Sequence, residues 1–370
     1  MVINPPLLLV SGLFFLALSS VLSIAAFLIV TAILRAGRRR ISHTRAKQVL
    51  LAALLLPPVL AAVPTFRGAT LHHSHAQPHL EHHSAACSEL FAGLLSANHA
   101  GSSETVRLSG IFVNGLAWLL VALGLFFLLR LIVATVRLER GLTSHLSRPS
   151  PRLARALAHI GRRSQVNAAQ FYECPIPASY SSVLGVIRIR CVLSKELIAA
   201  ASGEELEAIV AHEAAHLRLR DVEATFLVSI LSCLFFYLRP VQLLARRWRE
   251  ETELACDAEA ITVTGDPLAM ATAILRVSGT PPSSNLSRPL PAVSLAFAEE
   301  SADLTARRVE NLISQAQKSA SRDLGETRLH SVGSWALTLA LAGFGVSLLL
   351  SAQAVCWAHC SLEAVAHFLP

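Results

Sequence analysis

The sequence predicts a mostly α-helical integral membrane protein, with about four transmembrane helices, one further re-entrant or interfacial helix, and an α+β domain on the cytoplasmic side. Three observations carry this. Hydrophobic residues make up 53% of the 370 residues against 15% charged, with a mean hydropathy of +0.52, a balance foreign to water-soluble proteins. The apolar residues gather into runs long enough to cross a bilayer. Between the third run and the last lies a mixed-charge stretch in which helical and strand periodicities alternate. The expected organisation is a three-helix membrane unit over 1–134, a cytoplasmic domain over 135–332, and a last span with a short tail over 333–370.

Leu7 to Leu34 is one apolar run with no positive charge before it, too long for a signal-peptide core, and is expected to be a retained span. The loop 35–47 then brings Arg35, Arg38, Arg39, Arg40, Arg45 and Lys47. The positive-inside rule places that loop in the cytoplasm and the N-terminus outside. Gln48 to Phe66 is the second span, expected to be kinked or broken at Pro57-Pro58. The loop 67–107 is exoplasmic and crowds together His72, His73, His75, His79, His82 and His83, with Glu81 and Cys87 nearby. Such a tract is either a metal-binding loop or a solvated low-complexity segment. Leu108 to Val133 is the third span.

Arg137, Arg140, Arg148, Arg152, Arg155, Arg162 and Arg163 dominate the first part of the cytoplasmic region, and Leu153, Leu157 and Ile160 share one side of a helix. A basic amphipathic helix beside a membrane is expected to lie on anionic lipid headgroups, and no nucleic-acid motif accompanies the charge. His145 and His159 lack ligand-spaced partners and read as surface residues. From Tyr180 to Leu193, Ile187, Ile189 and Cys191 alternate with Arg188 and Arg190, the period of a strand. This strand is either the edge on which an extended peptide backbone pairs or an inner strand of a small sheet.

The chemistry concentrates in Ser202 to Asp257. Ser202 and Glu205 form a capping box, and Leu206, Ile209, Val210 and Leu217 continue at helical spacing. Within that helix stands His212-Glu213-Ala214-Ala215-His216, an HExxH pentapeptide. Histidines four apart on one helical face can hold one zinc ion, with the intervening Glu beside the open coordination position. A third protein ligand is needed. The segment Arg246 to Thr264, stopped by Gly265-Asp266-Pro267, supplies Glu253 for that role and Asp257, one turn on, to fix a ligand imidazole from behind. The bland alternative leaves both as solvated carboxylates of a charged run.

Ala224 to Leu238 is strongly apolar but runs only 15 residues before Arg239-Pro240, short of the roughly 20 a crossing needs. A single crossing would also separate Glu253 from both histidines by a bilayer. The segment 224–238 is therefore expected to return to the side it left, as a re-entrant, interfacial or protein-buried helix.

The blocks Val-Leu-Ser-Lys-Glu-Leu (192–197), Glu-Glu-Leu-Glu-Ala-Ile-Val-Ala-His-Glu-Ala-Ala-His-Leu-Arg-Leu-Arg-Asp (204–221), Glu-Leu-Ala-Cys-Asp-Ala-Glu-Ala (253–260) and Ala-Arg-Arg-Val-Glu-Asn-Leu-Ile (306–313) together resemble the BlaR/MecR-type membrane metallopeptidases over roughly 110–315. The resemblance implies a zincin-like domain of gluzincin type, one zinc ion held by His212, His216 and Glu253, and Glu213 as catalytic base. It also implies a multi-pass protein of the bacterial inner membrane, cleaving a cytoplasmic or membrane-proximal protein such as a winged-helix repressor. No stretch matches the C-terminal penicillin-binding sensor domain of that family's antibiotic sensors. Heat-shock-type membrane metalloproteases insert two spans between HExxH and the later carboxylate, and the 36 residues between His216 and Glu253 are too few for that.

Pro281 to Asn285 is expected as a linker, Thr305 to Ser319 as a helix on the catalytic domain, and Gly333 to Val355 as the last span, which puts the C-terminus outside. Cys87, Cys356 and Cys360 then share the oxidising side, with their pairing open, while Cys174, Cys191, Cys233 and Cys256 stay reduced. The oxyanion stabiliser that peptide hydrolysis needs is not fixed by a motif; Arg249 and Tyr180 are the candidates. Against the peptidase stand a signalling receptor with a structural zinc, which would not need Glu213, and a broad quality-control protease.

Overall fold

The computed structural model describes residues 5–37, 41–74, 103–143, 145–164, 167–175, 179–185, 188–278 and 302–321. Among them, three long helices are apolar enough to cross a membrane: α1 (Pro5–Ala36), α2 (His43–Ser74) and α3 (Ser103–Thr143), with spans at Phe15–Ala36, His43–Ala62 and Trp118–Gly141. Their outer faces are greasy and open, with Val21, Leu28, Leu125, Phe126 and Leu129 all more than half exposed. Such a surface is tolerable where hydrocarbon covers it.

Helix α2 corrects one expectation. It runs unbroken through Pro57-Pro58 and on to Ser74, so His72 and His73 belong to its last turn rather than to a loop. A proline costs a helix one hydrogen bond and a clash with the carbonyl four residues back. Here the adjoining turn is pinned by packing, for Leu50, Ala53, Leu54 and Ala61 are all buried, the first three in the core shared with α1. His75, His79, His82, His83 and Cys87, the linker at 281–285, the span at 333–355, and Cys356 and Cys360 lie outside the described residues.

The α+β part begins with α4 (Pro151–Ser164) and a three-stranded sheet of β1 (Phe171–Cys174), β2 (Ser181–Leu184) and β3 (Arg190–Ser194), in the order β1-β3-β2. β3 pairs parallel with β1, Phe171 opposite Cys191, and antiparallel with β2, Ser182 opposite Val192. The stretch expected to be one strand is thus a hairpin. Gly185 turns it at φ +92°, where an added Cβ would strike the Arg188 carbonyl oxygen. Of the alternating run, Arg190 and Cys191 fall in the central strand β3, and β2 is the outer strand next to the helix that carries the pentapeptide.

Helices α5 (Lys195–Ala200), α6 (Gly203–Arg218), α7 (Asp221–Leu234), α8 (Arg239–Thr264), α9 (Pro267–Ser278) and α10 (Ala302–Ser321) complete the domain. Ser202 caps α6 with its hydroxyl accepting from Glu205 N at 3.1 Å, while Glu205 Oε2 accepts from Ser202 N at 2.7 Å. The amphipathic α4 departs from expectation: Leu153, Ala156, Leu157 and Ile160 are buried in the core with α6, β1, β3 and α9. Its apolar face is used on protein and is not free for lipid, while Arg152, Arg155, His159 and Arg163 remain exposed.

α7, with 14 residues, is about 21 Å long. It packs along α2 and α3, with Phe127 of α3 and Phe236 in the following turn 5.2 Å apart, and the chain then returns along it as α8. Val241, Leu244, Ala245 and Trp248, from the first half of α8, close a second core with Val30 and Leu34 of α1, Leu50 and Leu54 of α2, and Val228 of α7. Trp248 is fully buried, so its truncation to Ala is expected to cost about 3–5 kcal/mol.

Glu205 also receives Arg276 of α9 through two bonds of 2.9 and 3.0 Å. Arg276 and the cap hold its carboxyl below the ordinary 4.5 against the opposing effect of burial. The stabilisation is therefore complete above pH 4.5 and is lost as the pH falls through the lower folded-state value. Glu205→Gln should melt a few degrees below wild type at pH 7 in detergent, and the two melting curves should converge in acid; equal melting at pH 7 would show that the pair contributes nothing.

Candidate metal centre

The pentapeptide lies on α6, inside the helix that Ser202 starts. Small residues, Ala208, Ala211, Ala214 and Ala215, line that stretch of the helix and are buried, which lets neighbouring elements approach its backbone closely. His212 Nε2 and His216 Nε2 face one another at 3.2 Å. α8 brings Glu253 beside both, Oε2 at 3.4 Å from His212 Nε2 and Oε1 at 3.7 Å from His216 Nε2. These three residues present donor atoms within 4.8 Å of one another, so the return of α8 beside α6 does bring the distant carboxylate to the two imidazoles.

Behind each ring stands a carboxylate. His212 Nδ1 lies 3.0 Å from Asp257 Oδ1, though not collinear enough for a straight hydrogen bond. His216 Nδ1 lies 3.0 Å from Asp221 Oδ2. A carboxylate at Nδ1 draws the proton to that nitrogen and leaves the Nε2 lone pair for a cation. Asp257 was anticipated in the sequence; Asp221 was not, although it stands five residues after His216 in the same block. Arg220, in the left-handed conformation at φ 54°, makes the sharp joint between α6 and α7 that swings Asp221 back onto the ring.

Two cations and a thiol complete the surround. Arg308 of α10 donates Nε and Nη2 to the two oxygens of Asp257, both at 2.8 Å, and its Nη1 lies 3.2 Å from Glu253 Oε2. It comes from the fourth block noted in the sequence, where its role was not legible. Lys47 of α2 pairs with Asp221. Cys256, which no spacing singled out, lies 3.2 Å from both His216 Nδ1 and Asp221 Oδ2, and burial pushes its thiol well above 9.

The donor set fits zinc: two imidazole nitrogens and a carboxylate converge on one point, and each imidazole is backed by a carboxylate. Glu253 keeps 30% of its side-chain surface accessible. Glu213, 5% exposed, follows His212 on α6. Burial, reinforced by Glu213, pushes the Tyr180 phenol up to about 12 despite its hydrogen bond with Ser182, so it remains a donor. Arg249 donates Nε to the Ala245 carbonyl of its own helix at 3.2 Å. His159 pairs with Glu207 at the surface, away from this set.

Comparison with known proteins gives the family. The family model described as BlaR1 peptidase M56 matches residues 14–312. The chain belongs to that family. A relative, the plastoglobule-localized metallopeptidase 48 of Arabidopsis thaliana chloroplasts, is 31% identical across 30% of this chain and 35% of its own length. The M56 chain thus spans about a third of that curated relative. The three apolar helices agree with a membrane-associated member of that family.

The charges set a pH window for the metal-free M56 protein. Burial opposes ionisation of both partners, yet Asp257 and Glu253 push His212 from 6.5 up to about 10, while Arg308 and the histidines hold Glu253 well below 4.5. The His212 contribution is complete below pH 6.5 and fades as the pH rises towards 10; that of Glu253 is complete above pH 4.5 and fades in acid. Chelator-stripped protein should therefore be most heat-stable between about pH 4.5 and 6.5. Bound zinc needs neutral rings, so its added stabilisation should grow above that window. Thermal melts across pH, with and without zinc, check both signs.

Proposed function

We propose that this chain is a gluzincin-type zinc endopeptidase in a bacterial inner membrane, with its site facing the cytoplasm and a cytoplasmic or membrane-proximal protein as substrate. The observation that carries this is the meeting of His212, His216 and Glu253 at one point, with Glu213 beside them on the same helix. A zinc ion there would act as a Lewis acid and bring the pKa of water towards about 7. Asp257 and Asp221 keep the two rings in the tautomer that binds, and Arg308 balances the charge of Glu253 and Asp257. Glu213 takes the proton of the attacking water at its carboxylate and passes it to the leaving amine. The edge strand β2 offers main-chain pairing to an extended substrate, and Tyr180, next to it, donates to the developing oxyanion.

A set of three protein donors, His212, His216 and Glu253, favours this over a purely structural zinc, since structural sites are closed by four protein ligands. The substrate class we infer is a single regulatory protein, such as a winged-helix repressor, with membrane lipid as the other partner and no direct nucleic-acid contact. Glu213→Gln should lower peptidase turnover by roughly 100- to 10,000-fold with zinc content unchanged. In cells, comparing new protein N-termini between wild type and Glu213→Gln should show one product that depends on Glu213. Many products would indicate quality control, and none would leave a non-proteolytic receptor.

A further inference from the structure

The metal centre is braced from the start of a membrane helix. Lys47, in the first turns of α2, pairs through Nζ with Asp221 Oδ1, while Asp221 Oδ2 faces His216 Nδ1 at 3.0 Å. Both charged groups are buried, Lys47 6% and Asp221 3% exposed, so neither is satisfied by water if the other is removed. One turn earlier on α2, His43 Nδ1 lies 2.7 Å from Glu251 Oε2, two residues before Glu253 on α8. The same stretch of α2 thus grips the joint after α6, which aims one ligand ring, and the helix α8 that supplies the carboxylate.

A carboxylate with one oxygen held by an ammonium presents the other in a fixed direction, and here that direction is the His216 ring. The ammonium also decides between two uses of His216. His216 Nδ1, Asp221 and Cys256 form a second convergent donor set, but a positive charge seated on Asp221 repels a cation from it. His216 is left to serve the His212–Glu253 set through Nε2.

We propose that Lys47 is a positioning residue of the metal centre: through Asp221 it fixes the His216 ring, so that filling of the site depends on the seating of the second membrane helix. This rests on His212, His216 and Glu253 holding the ion. The test uses the full chain in detergent, with zinc affinity measured by chelator competition and the ligand-field spectrum recorded after cobalt substitution. Lys47→Met should weaken zinc binding by about 10- to 100-fold and alter the cobalt spectrum, and Lys47→Arg should restore both to within about threefold. Asp221→Asn should cause a comparable loss, and adding Lys47→Met to it should cost less than about twofold more, because both act through one contact.

A residue with a merely structural role would lower the melting temperature, leave the cobalt spectrum unmoved, and multiply its effect with that of Asp221→Asn. Either an unmoved spectrum or multiplied losses overturns the proposal. Should Lys47→Met not accumulate, Asp221→Asn carries the test alone, and a cobalt spectrum unchanged in it has the same force. Wild type that takes up no zinc, or keeps it after His212→Ala, defeats the underlying metal assignment as well. Wild type that binds zinc while Lys47→Met binds it equally defeats this proposal only.

Discussion

The site depends on α8 being brought back beside α6, and the force that does this is apolar. Glu253 cannot draw its own helix across the domain, since the net gain from one charged contact near a surface is small beside the cost of ordering the chain. The second core does the ordering. Trp248, Leu244 and Val241 bury themselves against α1, α2 and α7, and with the first half of α8 fixed, helical geometry carries Glu253 and Asp257 to the two imidazoles one to two turns further on. The membrane helices are thus part of what builds the centre.

The polar surround obeys a consistent logic of charge. The buried carboxylates of Asp257 and Asp221 and the partly buried one of Glu253 would repel one another and resist burial if left alone. Arg308 and Lys47 offset them from opposite sides, one from α10 and one from α2, and the imidazoles stand between. The arrangement leaves the two Nε2 atoms and Glu253 turned towards a common point, which is what binding of a divalent ion requires of a preorganised site. Elements far apart in the chain therefore converge on a region a few ångströms across.

Much of this was legible in the sequence because local rules dictate it. The capping box at Ser202, the helical phase that puts His212 and His216 on one face, the stop at Gly265, and the shortness of the apolar run before Arg239 each depend on neighbours within a turn or two. What periodicity could not supply was the partner of each face. The amphipathic α4 reads the same whether lipid or protein covers it, and the structure gives it to the domain core. A strand around Cys191 reads the same at an edge or in the middle, and pairing of Cys191 with both β1 and β2 makes it the middle.

The sequence by itself determined that the chain is a membrane protein, where its pentapeptide helix starts, and which two histidines share a face, because hydropathy, capping and the 3.6-residue period are local properties. Only the tertiary structure decided that Asp221, Arg308, Lys47 and Cys256 surround those histidines. A lone lysine in a basic loop, or an aspartate after an HExxH, has no periodicity to betray it. Its meaning comes from a partner as many as 174 residues away, brought within bonding distance by packing of surfaces that carry no charge at all.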